Sequence, residues 1–131
     1  MTRTVRYNYV IGDVQGCFEA LKALLKEIRF DPDQDFIWFA GDLVARGENS
    51  LGALRFIKKL VDNGVAATVL GNHDLTLLAY ARGIKPIKDK DNVRDVIDAI
   101  DSDDLIDWLN QGNIWKLFLF NQLTISAFLT W

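Results

Sequence analysis

Short apolar runs alternate with amphipathic stretches along the first 80 residues. The three apolar runs are residues 7–11, 36–40 and 65–70. Their β-branched and aromatic content and their length predict strands. After each run, apolar residues recur every three or four positions, which predicts a helix. The helical stretches are residues 18–28, 51–61 and 74–80. Three β-α units in succession predict an α/β fold with parallel strands and right-handed crossovers.

Local signals refine some of these elements. The run at 36–40 is apolar at every position, which is typical of a strand buried on both faces. Ser50 is expected to cap the second helix, and Asn63 with Gly64 is expected to close it. Residues 83–92 are polar and predict an exposed loop.

The rest of the chain divides into two stretches. Residues 93–108 predict one or two short amphipathic helices, with Ser102 as an N-cap. Residues 110–131 are hydrophobic, contain no acidic residue and show no helical stripe. We therefore expect one domain over 1–109 and an atypical hydrophobic tail over 110–131. The tail is either a pair of edge strands or sequence unrelated to the domain, as a frame shift would produce.

Composition narrows the partners that we expect. The 131 residues include 15 basic and 18 acidic side chains, for a net charge of −3. Without a basic excess, we expect no nucleic-acid partner. Cys17 is the only cysteine, so no internal disulfide forms, which suits a cytoplasmic protein. No stretch of about 18 charge-free apolar residues occurs, so no membrane partner is expected.

Three glycine-flanked polar clusters follow the three predicted strands. They are residues 12–16, 41–47 and 71–74. The carboxyl ends of parallel strands are where open α/β sheets bind ligands. Asp13 and Asp42 can share a divalent cation there, Asn72 can add an amide oxygen, and His73 can serve as a ligand or an acid. Such an oxygen-rich set suits Mn²⁺, Mg²⁺, Fe²⁺ or Co²⁺.

Each of these residues also has a simpler explanation. Asp13, Asp42 and Asn72 are common turn formers and helix caps when taken singly. Three polar clusters in the same position after three strands favour a shared site. Arg46 is either a solvated surface arginine or a bidentate ligand for phosphate oxygens, and the adjoining site favours the second. Cys17 has no second histidine to act as its base, so a small buried thiol is the expected role.

The clusters resemble the motifs of the calcineurin-like metallophosphoesterases, namely Asp-x-His, Gly-Asp-x-x-x-Arg-Gly and Gly-Asn-His-[Asp/Glu]. Within that superfamily, residues 41–47 and 71–74 look most like those of the symmetrical bis(5′-nucleosyl)-tetraphosphatases, or diadenosine tetraphosphatases. The resemblance covers about residues 7–108. It implies the N-terminal half of a metallophosphoesterase-type α/β sandwich, with catalytic loops at the carboxyl ends of the strands.

The resemblance also implies a role for each matched residue. Asp13 would bind one of two divalent metal ions, Asp42 would bridge both, and Asn72 would bind the second and contact a substrate phosphate. Gln15 stands at a metal position where much of the superfamily has histidine, and is a weaker ligand. The metals would be manganese, cobalt, magnesium or iron, in a site that this chain leaves incomplete.

The implied catalytic residues are His73, Asp74 and Arg46. His73 would protonate the leaving oxygen, Asp74 would orient the His73 ring, and Arg46 would hold a substrate phosphate. The implied reaction is hydrolysis of diadenosine tetraphosphate, a dinucleoside polyphosphate, to two ADP. Glu48 stands where these enzymes usually have proline, and would place a negative charge near the phosphate.

Two alternatives stay open. The related protein serine/threonine phosphatases usually have aspartate at position 45 and glutamate at position 74, so Ala45 and Asp74 argue against that activity.

Family members also supply further histidine ligands from their second half, whereas His73 is the only histidine here. We therefore expect a truncated or frame-shifted member, which would be catalytically incompetent by itself and would self-associate through exposed apolar surface.

Overall fold

The computed structural model describes residues 4–111. Within them, three parallel strands form one sheet in chain order: β1 (Asn8–Ile11), β2 (Phe36–Phe39) and β3 (Ala66–Thr68). The five helices are α1 (Phe18–Glu27), α2 (Ser50–Asp62), α3 (Asn72–Ala81), α4 (Arg94–Ile97) and α5 (Ser102–Asn110), with a 3₁₀ turn at Asp89–Asp91. The parallel α/β architecture predicted from the sequence is confirmed.

Among the described residues, only one face of the sheet is fully covered. Ile37 and Phe39 of β2 are completely buried, whereas Phe36 and Trp38 between them are half-buried. Strands that follow chain order through crossovers of one hand place their connecting helices on the same face. The expectation that residues 36–40 are buried on both faces is therefore wrong for this part of the chain.

The core lies between the sheet and the helices. Its completely buried side chains come from β2, from the loop after it, and from α2, α3 and α5: Ile37, Phe39, Leu43, Val44, Leu54, Ile57, Leu77 and Leu109. Two of these residues, Leu43 and Val44, belong to a polar loop rather than to an element. Burial of their side chains anchors that loop to the core.

Several element boundaries differ from the expectations. Asn49, not Ser50, caps α2, because its side chain accepts a hydrogen bond from the Gly52 amide at 2.7 Å. Ser102 is the first residue of α5 and follows the N-cap position Asp101. The closing turn of α2 at Asn63 is confirmed.

The predicted loop at 83–92 is mostly exposed but ends in a buried residue. Asp91, in the 3₁₀ turn, is 7% exposed. Residues 4–111 include no helix that is both long and apolar enough to cross a membrane. The predictions for the tail concern residues 110–131, of which 112–131 lie outside the described residues.

Candidate functional site

The first two polar loops are joined at the carboxyl end of the sheet by backbone hydrogen bonds. The Gln15 amide donates to the Asp42 carbonyl at 2.8 Å, and the Gly16 amide donates to the Leu43 carbonyl at 3.0 Å. In return, the Gly47 amide donates to the Gln15 carbonyl at 2.8 Å. A Cβ at Gly47 would collide with this same carbonyl, so the close approach requires glycine. The loops at 12–16 and 41–47 therefore form one rigid unit.

The third loop contacts the side chain of Asp42. Oδ1 of Asp42 accepts a hydrogen bond from the His73 backbone amide at 2.9 Å. A Cβ at Gly71 would fall within the Asp42 carboxylate group, so only glycine allows this packing. Asp42 itself is half-buried and has a left-handed backbone, with φ +51°. The third cluster thus contacts the Asp42 carboxylate, and the first cluster is bonded to the backbone of Asp42 and Leu43.

Asp74 stabilises this arrangement by accepting hydrogen bonds from backbone amides of the second and third loops. Its buried carboxylate accepts hydrogen bonds from the amides of Leu43 at 2.8 Å, Val44 at 3.3 Å and Gly71 at 3.0 Å. Burial raises the pKa of Asp74 to about 6, and the three amide donors act in the opposite direction. Since amide N–H groups take up both oxygens, Asp74 does not orient the His73 ring. That expectation is corrected: Asp74 fixes the backbone of two loops.

The imidazole of His73 is half-buried at the N-terminus of α3. Among residues 4–111 its ring has no hydrogen-bond partner, so the expected bond to Asp74 or a neighbouring acid is also absent from this part of the chain. The link between His73 and an acid is made by the backbone amide instead. This leaves the ring nitrogens available to a ligand.

Arg46 lies on a strained backbone. Ala45 has φ +88° and Arg46 has φ +65°, both in the left-handed region that residues other than glycine rarely adopt. The Ala45 amide donates to Oγ of Ser50 at 3.0 Å, and the Arg46 amide donates to the Asp91 carbonyl at 2.7 Å. The Arg46 side chain is exposed, and its guanidinium pairs with no acidic group in the described part of the chain.

The remaining expected ligands lie at the same end of the sheet. Asp13 is exposed, two residues after β1, and lines a shallow pocket of about 140 Å³ with Cys17 and others. Gln15 is half-buried with φ +49°. Asn72 is exposed as the first residue of α3. The thiol of Cys17 is only partly buried and contacts the Gln15 carbonyl at 3.8 Å.

Glu48 does not point at the proposed phosphate position as the sequence suggested. Its carboxylate accepts a hydrogen bond from the Glu19 amide at 3.0 Å, in the first turn of α1. Bonds from the backbone amides of Glu19 and of Glu48 itself lower the pKa of the Glu48 carboxyl. A helix N-terminus attracts negative charge, so Glu48 binds there.

The chemistry of the expected ligands suits an oxygen-preferring divalent cation. No three His, Cys, Asp or Glu side chains gather into a metal-binding group among residues 4–111. The expected ligands are instead two carboxylates, Asp13 and Asp42, and two side-chain amides, Gln15 and Asn72, on the loops that follow the three strands. Carboxylate and amide oxygens are ligands that hard divalent cations accept.

Sequence reasoning missed three residues next to this site. The Tyr80 hydroxyl donates to Oδ2 of Asp91 in a short buried hydrogen bond. The side-chain amide of Asn92 donates to the Gly47 carbonyl at 2.7 Å. Nothing in the sequence pattern marks these contacts, because they join a loop expected to be exposed to α3 and to a residue 45 positions earlier.

Known proteins resemble this chain in sequence and in fold. A family model described as calcineurin-like phosphoesterase matches residues 9–127. A protein of Actinobacillus succinogenes is 54% identical over 104 residues, which are 79% of this chain and 37% of that protein. A protein of Vibrio campbellii is 50% identical over 104 residues, 79% of this chain and 38% of that protein. Both relatives are named symmetrical bis(5′-nucleosyl)-tetraphosphatase.

A solved structure gives the same result at the level of the fold. A crystal structure described as a candidate diadenosine tetraphosphatase superimposes with a TM-score of 0.61 at 28% identity. The superposition covers 82% of this chain and 47% of the other. The chain therefore spans less than half the length of each of these similar proteins.

Proposed function

The chain belongs to the calcineurin-like phosphoesterase family, and on that premise we propose that it serves metal-dependent hydrolysis of the phosphate anhydrides of dinucleoside polyphosphates. The substrate that we favour is diadenosine tetraphosphate, cleaved symmetrically to two ADP, as the names of the relatives suggest. The observation that supports the proposal is that Asp42 is bonded to both other polar loops, to the Gln15 amide through its backbone carbonyl and to the His73 amide through its carboxylate.

The proposed metal ligands are Asp13, Gln15, Asp42 and Asn72. Divalent cations held there would supply a Lewis acid for the phosphoryl oxygens and an activated water. Family resemblance favours two ions, with Mn²⁺ the first choice among Mn²⁺, Co²⁺, Mg²⁺ and Fe²⁺. A reducing cytoplasmic setting, which a chain with one cysteine suits, is part of the proposal.

Three side chains of this chain would act on the substrate directly. The exposed guanidinium of Arg46 would bind a phosphate group bidentately, since no acidic side chain in residues 4–111 competes for it. The His73 imidazole would donate a proton to the leaving phosphate oxygen. Asn72, beside His73 at the start of α3, would contact the same phosphate.

The turnover rate of the 131-residue polypeptide by itself is a separate part of the proposal. The relatives are more than twice as long, and this chain matches 36–38% of the length of three of them. With four ligands, two of them neutral amides, we propose weak metal binding and little turnover for this polypeptide by itself. Exposed apolar side chains such as Val10, 68% accessible, would favour self-association.

Calorimetric titration with diadenosine tetraphosphate in the presence of Mn²⁺ tests the proposal. We expect wild type to bind, and Arg46→Ala to bind at least about ten-fold more weakly because a charge-assisted pair is lost. Arg82→Ala is the matched control, since Arg82 is also exposed and lies at the end of α3. A phosphopeptide serves as the competing ligand. Equal binding by Arg46→Ala, or preference for the phosphopeptide, would contradict the proposal.

A further inference from the structure

The Arg46 backbone is bound by a segment from outside the three family motifs, residues 89–92. The Arg46 amide donates to the Asp91 carbonyl at 2.7 Å. The neighbouring Gly47 carbonyl accepts from the Asn92 side chain at 2.7 Å. The 89–92 segment thus contacts both residues of the arginine-glycine pair, one through a carbonyl and one through an amide.

The 89–92 segment is held in turn by α3. The Tyr80 hydroxyl donates to the Asp91 carboxylate, and both side chains are buried, at 5% and 7% exposure. The hydrogen bond to Asp91, together with burial, raises the pKa of Tyr80, so its hydroxyl stays a proton donor. Asn92 adopts the left-handed conformation, with φ +52°, which asparagine tolerates better than most residues.

Such support is needed because the arginine backbone is strained. A non-glycine residue in the left-handed region persists only where the surroundings over-determine its conformation. Ala45 and Arg46 are consecutive residues of this kind. The guanidinium is exposed and has no acidic partner among residues 4–111. The backbone therefore sets the direction in which the Arg46 side chain leaves the main chain, and the 89–92 segment holds that backbone.

We propose that Tyr80, Asp91 and Asn92 are positioning residues that hold Arg46 ready to bind a phosphate anion. The inference rests on the proposed function, because it takes Arg46 to be the phosphate ligand. Holding the backbone at Arg46 in one conformation reduces the conformational entropy that binding must overcome. Helix α3 then supports both parts of the site, because it begins at Asn72 and His73 and carries Tyr80 in its last turn.

Affinity for inorganic pyrophosphate, measured calorimetrically with Mn²⁺ present, tests the inference. The variants are Tyr80→Phe and Asn92→Gly, each of which removes one hydrogen bond. Glycine retains the left-handed backbone at position 92. We expect each variant to bind about three- to ten-fold more weakly, the range that one net hydrogen bond supports. Tyr7→Phe, at an exposed tyrosine remote from Arg46, is the control and should bind as wild type does.

A double-mutant cycle separates positioning from general loss of structure. If Tyr80 acts through Arg46, adding Tyr80→Phe to Arg46→Ala changes pyrophosphate affinity no further. Because Tyr80→Phe leaves a buried carboxylate unpaired and can destabilise the fold, Asn92→Gly repeats the cycle at an exposed position. Exchange of the Arg46 backbone amide with deuterium should accelerate in both variants.

The outcomes distinguish the two proposals. Failure of the wild-type chain to bind pyrophosphate, or unchanged binding by Arg46→Ala, contradicts the proposed function, and the positioning inference falls with it. Binding that depends on Arg46 but is unaffected by Tyr80→Phe and Asn92→Gly contradicts the positioning inference alone. So does a full additional loss in the Arg46→Ala background.

Discussion

The backbone amide of His73 donates a hydrogen bond to Oδ1 of Asp42 at 2.9 Å, across 31 positions of the chain. This bond places the start of α3 directly against the carboxylate that we propose as the central metal ligand. It also positions the His73 imidazole through its own main chain rather than through a partner of its ring. Among residues 4–111, the bond between the His73 ring and an acid that the motif predicted is therefore absent, and a bond from the His73 backbone amide to Asp42 is present instead.

Gly71→Ala should disrupt the meeting of the second and third loops. An added Cβ would overlap the Asp42 carboxylate, so that side chain or the loop must move. We expect a loss of about 1–3 kcal/mol in the free energy of unfolding, as for overpacked sites, and weaker Mn²⁺ binding. Gly12→Ala is the control, because a Cβ at Gly12 meets no atom within 4 Å. Urea denaturation of both variants gives the comparison, and equal stabilities would argue against the close packing.

Asp74→Asn should destabilise the fold although it changes few atoms. One amide oxygen can still accept from Leu43, but the new NH₂ group would face the Gly71 amide, a donor against a donor. We expect a loss of about 1–3 kcal/mol, the usual effect of leaving a buried group unsatisfied. Asp98→Asn, at an exposed aspartate, should change stability by less than about 0.5 kcal/mol. The measurement is the urea midpoint, and matching midpoints would refute the role assigned to Asp74.

Much of the fold follows from local sequence patterns. The apolar runs and the three- and four-residue spacing act within a dozen residues, so β1, β2, β3 and their helices could be predicted. Boundaries were less certain where two capping residues are adjacent: Asn49 and Ser50 are both good caps, and only the structure shows that Ser50 bonds the Ala45 amide instead.

The site was only partly predictable for a physical reason. The motif residues were identified because glycine and polar residues follow strands in a regular way. Two of the three partners of Asp74 are backbone amides about 30 residues earlier, and an amide has no sequence signature. The bond from Tyr80 to Asp91 likewise depends on how α3 packs, not on the spacing of the two residues. Whether one or both faces of the sheet are buried likewise depends on tertiary packing, which the local sequence pattern does not reveal.

Arg6→Gln should change how stability responds to acid. The Arg6 side chain holds the pKa of the buried Asp35 carboxyl below its ordinary value of 3.8. A lowered pKa contributes stability above the unfolded-state value, and the contribution is lost as the pH falls through the folded value. Arg6→Gln should therefore be less stable than wild type at pH 7, with the difference shrinking below about pH 4.

Arg94→Gln is the matched control for that acid dependence, because the pair of Arg94 with Asp89 is exposed on both sides. Exposed pairs contribute little to stability. Chemical denaturation at a series of pH values from 7 to 3 gives the profiles. If Arg6→Gln and wild type differ by a constant amount throughout, Asp35 is not the titrating group.

Glu48→Gln should weaken the N-terminus of α1 without affecting anion binding. Glutamine keeps an oxygen that can accept from the Glu19 amide, but the negative charge at the helix terminus is lost. We expect a small loss of stability and unchanged pyrophosphate affinity. Tighter pyrophosphate binding by the variant would show instead that Glu48 repels the anion, as its sequence position suggested.

Binding of Mn²⁺ tests most directly whether the three loops form a metal site around Asp42. The loss of free Mn²⁺ signal in electron paramagnetic resonance measures binding without requiring turnover. We predict that wild type and Asp98→Asn bind Mn²⁺ alike, and that Asp42→Asn binds at least about ten-fold more weakly, since even indirect ligand partners have effects of that size. Equal Mn²⁺ binding by Asp42→Asn and wild type, or no binding by wild type, would contradict the account.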